Sequence, residues 1–201
     1  MAQEGIILRT YVPHKHKLSV LDSALGRIEC VPQSAKMVHR LRHGSHITYT
    51  LRAWRHVYTI YDVDILSMPD YWAQHDLLFL HHVLELSLYF SPLHSECNSL
   101  FQLIMLLYTS ADTFCSSFYK KVFLCKFFGI LGVYPVEYKR DIFLFRLISN
   151  PINSNFDTEV ETIAEERLRR WILACIIIHP YAHKLKTLNF LTVTENHEKN
   201  I

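Results

Sequence analysis

The spacing of apolar residues changes once along this chain of 201 residues, and the change divides it into two parts. From Gly5 to Leu66, short segments rich in Val, Ile, Tyr and Thr alternate with Arg, Lys and His. Alternation with a period of two is typical of strands that have one buried and one solvated face. Beyond residue 69 the apolar residues recur at helical spacing, as in Leu77, Leu80 and Leu84. The sequence therefore predicts an α+β protein in which the sheet comes first.

Five strands are predicted in the first part, which is the number found in small closed barrels such as the OB-fold. They cover residues 5–12, 18–22, 28–31, 46–53 and 57–65. In the last of these, Asp62 and Asp64 fall on the same face as Ile60. We predict an N-terminal OB-fold β-barrel domain over residues 1–69, an all-helical domain over 70–192 and a disordered tail over 193–201.

The charge of the chain is unevenly distributed between these two parts. The net charge is +2, but residues 1–75 carry nine Lys or Arg against six Asp or Glu. The rest carries twelve against thirteen. A basic sheet joined to a near-neutral helical part indicates binding to a polyanion rather than catalysis. No enzyme motif is present, so we predict no catalytic residue and no cofactor.

Nucleic-acid binding requires cations for the phosphates and aromatic faces for the bases. Tyr11, Trp54 and Tyr58 lie close in sequence to the cations of the first part. Taken one at a time, these cations fit a solvated surface and the aromatics a barrel core; residues 36–42 as a unit favour binding. The predicted DNA-binding residues are Arg9, Lys15, Lys17, Arg27, Lys36, Arg40, Arg42, Arg52 and Arg55.

Metal binding and membrane insertion are not expected. The five cysteines are widely spaced and odd in number, which fits free thiols in a reducing cytoplasm. The histidines of residues 14–16 and 39–46 lack accompanying ligands and are predicted to lie on the surface. Asp62 and Asp64 fit either a divalent ion or a plain acidic surface. The apolar runs are too short and too polar to span a bilayer, so a cytoplasmic protein is expected.

Several segments, in the right order, resemble the RecO family of bacterial recombination mediators. These are residues 4–9 (EGIILR), 17–21 (KLSVL), 26–28 (GRI), 128–135 (FGILGVYP) and 180–191 (PYAHKLKTLNFL). Ala35 and Lys36 fall where family members carry a basic loop. The chain departs from the family between residues 136 and 157, where the usual zinc-binding cysteines are missing, so no structural zinc is expected.

The resemblance implies a function in DNA repair and homologous recombination. Such a protein binds single- and double-stranded DNA without sequence preference, anneals complementary strands and assists recombinase loading, and it is cytoplasmic and nucleoid-associated. Its implied partners are a RecR-like protein and the C-terminal tail of single-strand-binding protein. Cations beside Phe123, Phe127 and Phe128 fit either this acidic, apolar tail or a basic helix edge over an ordinary core. They are Lys120, Lys121 and Lys126.

Two other classes of function stay open at this stage. The protein is a non-catalytic interaction adaptor if the barrel has lost DNA binding, an alternative that the modest net charge and the altered residues 39–45 support. It is a small hydrolase or metal enzyme only if the fold gathers His and Asp side chains that are distant in sequence.

Overall fold

A computed structural model describes residues 2–11, 17–54, 57–135, 141–150, 152 and 158–187. The side chains of residues 35, 38, 54 and 158–163 are not described. The predictions made for Lys15, Arg55 and the tail over residues 193–201 lie outside the described residues. None of the described helices is long and apolar enough to cross a membrane.

The N-terminal part is a closed barrel of five strands. The strands are β1 (Gln3–Tyr11), β2 (Lys17–Asp22), β3 (Gly26–Pro32), β4 (His46–Trp54) and β5 (Val57–Ser67). Their order around the barrel is β1-β2-β3-β5-β4, and β4 pairs with β1 to close it. Only β3 and β5 run parallel, since they are joined through a short helix, α1 (Ala35–Val38), and the strand β4. This mixed α+β arrangement with an OB-like barrel confirms the coarse fold prediction.

The barrel is filled by side chains that alternate inward along each strand. Its interior contains Ile7, Leu18, Val20, Ile28 and Ile60, each with no exposed surface. On β5 the alternation changes phase at a bulge, where Thr48 faces Asp64 but Thr50 faces Tyr61. Asp62 takes a positive φ of 47° at this bulge, so Ile60 and Val63 both pack against the core. Asp62 and Asp64 remain on the exposed surface.

Seven α-helices and two 3₁₀ helices are described. After α1 these are α2 (Asp70–His75), α3 (Leu77–Phe90), α4 (Asn98–Thr109), α5 (Ser117–Leu131), α6 (Ile142–Ser149) and α7 (Thr158–Ile177), with 3₁₀ helices at Ala111–Cys115 and Ala182–Lys184. The chain divides into two compact units, residues 1–101 with 184–201, and residues 102–183. The predicted boundary at residue 69 follows the last barrel strand, whereas α2, α3 and the start of α4 belong to the same unit as the barrel.

Helix α3 packs against the outside of the barrel at β1. Because one face of β1 meets the barrel interior and the other meets this helix, Ile6, Ile7 and Leu8 are all buried. Strand residues that are covered on both faces lose the apolar and polar alternation that marks a half-exposed strand. Helix α3 is thereby fixed beside Arg9, the cation of β1.

A short C-terminal segment, residues 184–187, also docks on α3. The carboxylate of Glu85 accepts hydrogen bonds from the backbone N–H groups of Lys186 (3.0 Å) and Thr187 (2.9 Å), and from the Thr187 hydroxyl (2.7 Å). His82 Nδ1 lies 2.7 Å from the same hydroxyl oxygen. Since that hydroxyl donates its proton to Glu85, His82 must donate from Nδ1. We call this set of contacts the C-terminal clasp.

Candidate nucleic-acid interface

Seven of the nine predicted DNA-binding residues are described, and the barrel places them in four groups. Arg9 and Lys17 lie on the paired strands β1 and β2. Lys36, Arg40 and Arg42 lie in α1 and the connection that leads to β4. Arg52 lies on β4, and Arg27 lies at the start of β3. The fold therefore gathers some of these residues and separates others.

The first group surrounds Tyr11. The Arg9 guanidinium lies 5.0 Å from the centre of the Tyr11 ring, and the Lys17 ammonium lies 5.9 Å from it. Both distances are within the range of a cation–π attraction. Arg9 also donates a hydrogen bond to the Tyr89 hydroxyl of α3 (3.1 Å), which fixes its direction. Lys17 forms an ion pair with Glu29 (3.0 Å), so part of its charge is neutralised.

The second group is held against β1 by backbone hydrogen bonds. Ile7 donates to the Ser45 carbonyl (2.9 Å) and Gly44 donates to the Ile7 carbonyl (2.7 Å). The Ser45 hydroxyl oxygen accepts from the Arg42 N–H (3.0 Å), and Ser34 caps the start of α1. These bonds fix the two ends of the connection, while the side chains of Lys36, Arg40 and Arg42 point into solvent. The loop predicted as a binding unit is therefore anchored at β1, next to Arg9.

His43 extends this basic surface toward α3. Its Nε2 atom lies 3.3 Å from the Thr10 hydroxyl, and its ring centre lies 6.3 Å from that of His81. Partial burial, His81 and Arg9 together lower the pKa of His43. The sequence predicts His43 to lie on the surface, where protonation below about pH 6.5 would add positive charge, but it does not predict the proximity of His81. No spacing in the sequence could reveal this pair, since the two residues are 38 positions apart and meet only because α3 packs on β1.

Arg52 and Arg27 lie apart from these groups. The Arg52 guanidinium is exposed and lies 5.7 Å from the centre of the Tyr61 ring on β5. This pair offers a cation and a neighbouring aromatic side chain on the β4–β5 hairpin. Arg27 is only partly exposed, and its carbonyl accepts a hydrogen bond from the N–H of His94 (2.9 Å).

Most of these cations are not neutralised by acidic side chains. Within the described residues, no carboxylate forms an ion pair with Arg9, Lys36, Arg40, Arg42 or Arg52. Lys17, in contrast, is paired with Glu29. Surface cations that are not paired with carboxylates remain available to neutralise DNA phosphates. This neutralisation releases the counter-ions condensed on the DNA, which drives association.

The lysines predicted to bind a partner peptide have partners inside the helical part. Lys121 forms an ion pair with Glu165 and donates to the Ser117 hydroxyl (2.9 Å). Lys126 donates to the carbonyls of Ile148 and Asn150 at the end of α6, and partial burial lowers its pKa. Lys120 is partly buried on the same helix. Because Phe123, Phe127 and Phe128 are fully buried, none of these rings offers an open apolar groove; the peptide site stays a prediction.

Three hydrogen-bonded side chains of the barrel, Glu4, His46 and Ser67, have the residue types of a catalytic triad. His46 is buried, with Nε2 at 2.6 Å from the Glu4 carboxylate and Nδ1 at 3.2 Å from the Ser67 hydroxyl. These three residues lie on β1, β4 and β5, and His46 is the register partner of Ser67. The hydrogen bonds therefore join neighbouring strands of the barrel.

In the described part of the chain, no three His, Cys, Asp or Glu side chains come together as a metal site.

A scan against models of known protein families finds no match to this chain. A search of curated proteins also finds no significant similarity.

Proposed function

We propose that this protein is a RecO-like DNA repair and recombination mediator that binds single- and double-stranded DNA through its barrel. The observation that carries the proposal is a set of five cations that have no carboxylate ion-pair partner among the described residues, Arg9, Lys36, Arg40, Arg42 and Arg52. Arg9 and Arg52 lie on strands of a five-stranded barrel with OB-like strand order, and the other three lie in α1 and the connection that leads to β4. Barrels of this kind commonly bind single-stranded nucleic acids. The resemblance of residues 4–9 and 26–28 to the RecO family supports the same function.

The mechanism of such a mediator makes and breaks no covalent bond. The basic surface neutralises the phosphates of one strand, which lowers the repulsion that keeps two complementary strands apart. Strand annealing then proceeds by base pairing. A RecR-like protein and the acidic tail of single-strand-binding protein are the proposed partners, and the proposed place of action is the cytoplasm, at the nucleoid.

A double substitution in the anchored loop tests the proposal. We expect Arg40→Gln with Arg42→Gln to weaken binding to a fluorescent oligonucleotide by about tenfold or more at low salt. The slope of log affinity against log salt is expected to fall by about two, since each lost phosphate contact removes about one. Fluorescence anisotropy at several salt concentrations measures both quantities.

The matched control is the double variant Arg146→Gln with Lys186→Gln, which removes two exposed cations that lie outside the barrel. We expect it to bind like the unmodified protein. Equal losses in the two double variants would indicate that net charge, and not the barrel surface, attracts DNA. Absence of binding in the unmodified protein at low salt would instead favour the interaction adaptor.

A further inference from the structure

The side chains of Arg9, His43 and His81 meet between β1, the connection after α1, and α3, and we call them the histidine cluster. Thr10 of β1 contacts the His43 ring, and His81 of α3 lies beside it. Arg9 is directed toward α3 by its hydrogen bond to Tyr89. Both histidines are exposed, so the cluster is open to a ligand from solvent.

The groups that face His43 are cationic or neutral. From β1 these are Arg9 and the Thr10 hydroxyl, and from α3 it is His81. The acidic side chain nearest in the helix is Glu85, one turn beyond His81. Its carboxylate already accepts the three hydrogen bonds of the C-terminal clasp. The cluster thus concentrates positive charge with no described carboxylate paired to it.

The surroundings of His43 make its charge dependent on a bound anion. In the free protein, partial burial lowers the pKa of His43, and His81 and Arg9 act in the same direction. A phosphate group bound among the same side chains adds a negative charge next to His43, and this charge favours the imidazolium form. Imidazolium and guanidinium N–H groups are also strong hydrogen-bond donors to phosphate oxygens.

We propose that Arg9, His43 and His81 form a phosphodiester-binding site in which His43 takes up a proton when DNA binds. DNA affinity then rises as the pH falls from 8 toward 6. This inference rests on the proposed DNA-binding function and specifies how the same barrel surface is regulated. Its ligand is a backbone phosphate of nucleic acid, so the response is independent of base sequence.

The test is the affinity for a labelled thymidine oligonucleotide at pH 8.0 and pH 6.0, at constant ionic strength and without phosphate buffer. Uptake of one proton raises affinity by at most about tenfold per pH unit. Because the ordinary histidine pKa of about 6.5 lies between these pH values, we expect about tenfold tighter binding at pH 6.0. The variant His43→Gln with His81→Gln should change less than about threefold between the two pH values, in line with the loss of that linkage.

The control variant, His75→Gln with His183→Gln, removes two exposed histidines outside the cluster and should respond like the unmodified protein. Calorimetric titration of the unmodified protein in buffers of different ionisation enthalpy gives an independent result, the uptake of roughly one proton per site. Salt-dependent binding without a pH response or proton uptake would overturn the inference and leave the proposed function intact. A full response in the cluster variant would overturn it too. Absence of DNA binding at both pH values would overturn both.

Discussion

Substitution of Gly26 by alanine is expected to lower the free energy of unfolding by about 3 kcal/mol or more. Gly26 begins β3 with a φ of +70°, a conformation that side chains with a Cβ rarely adopt. An added Cβ would lie 1.8 Å from the carbonyl oxygen of Ser95. The segment that includes Ser95 cannot easily retreat, since the neighbouring His94 donates a backbone hydrogen bond to Arg27 (2.9 Å). Urea denaturation followed by circular dichroism measures the loss.

Gly132 provides a matched control for the backbone conformation alone. It ends α5 with a φ of +67°, and an added Cβ there has no heavy atom within 4 Å. We expect Gly132→Ala to cost only about 1–2 kcal/mol, the strain of a left-handed alanine. The difference between the two variants isolates the steric effect of the Ser95 carbonyl. Equal losses would show that residues 93–97 do not pack on the β2–β3 hairpin.

The second large effect is a loss of stability in acid that originates at His82. This ring is only 4 % exposed, and burial lowers its pKa to about 4, although Glu85 acts in the opposite direction. In the unfolded chain the histidine pKa is about 6.5. Between these values the unfolded state binds a proton that the folded state does not, so stability rises with pH through this window. The contribution of His82 is complete above about pH 6.5, and about 3 kcal/mol of it is lost by pH 4.

The variant His82→Leu tests this effect because leucine carries no proton at any pH. Other groups contribute to acid unfolding in both proteins, so the informative quantity is the difference in unfolding free energy between variant and unmodified protein. We expect this difference to shift in favour of the variant by about 3 kcal/mol between pH 7 and pH 4. The exposed His75→Gln variant should show no comparable shift. A constant difference across the pH range would contradict the assignment of His82 as a buried neutral ring.

The C-terminal clasp explains why His82 is neutral. Its Nδ1 proton is donated to the Thr187 hydroxyl, and its Nε2 atom is buried with no hydrogen-bond partner among the described residues. A proton added at Nε2 would therefore be buried without an acceptor, which is costly. The helical spacing of α3 predicts that His82 lies on a helix, but only the return of residues 184–187 to α3 reveals its partner.

The sequence predicts the strands well and their faces less well. Along β4, Ile47 and Tyr49 are buried as their spacing indicates, but His46, predicted to lie on the surface, is buried as well. Along β5 the bulge at Asp62 changes the phase, so Ile60 and Val63 both reach the core although they differ by three positions. An inserted residue of this kind depends on the curvature of the closed barrel, which local spacing does not encode.

The candidate interface, like the barrel, is only partly predictable from the sequence. The cations of residues 36–42 stand out in the sequence because they are close together and unaccompanied by acids. The pairing of Lys17 with Glu29 follows from the register of β2 against β3, and the meeting of His43 with His81 follows from the packing of α3 on β1. Contacts between side chains that are distant in sequence require the tertiary structure. Charge counting therefore shows neither the Glu29 partner of Lys17 nor the proximity of His43 to His81, and Lys17 stays a predicted DNA-binding residue.

The most direct test of the central claim is a salt titration of oligonucleotide binding by the unmodified protein. If the five cations that lack a carboxylate partner in the described part of the chain neutralise several phosphates, the affinity should fall linearly on a log–log plot, by roughly tenfold or more between 50 and 200 mM salt. Single strands of different sequence should give the same line, since contacts to phosphates carry no base information. An affinity that does not change with salt, or no detectable binding at 50 mM salt, would contradict the account.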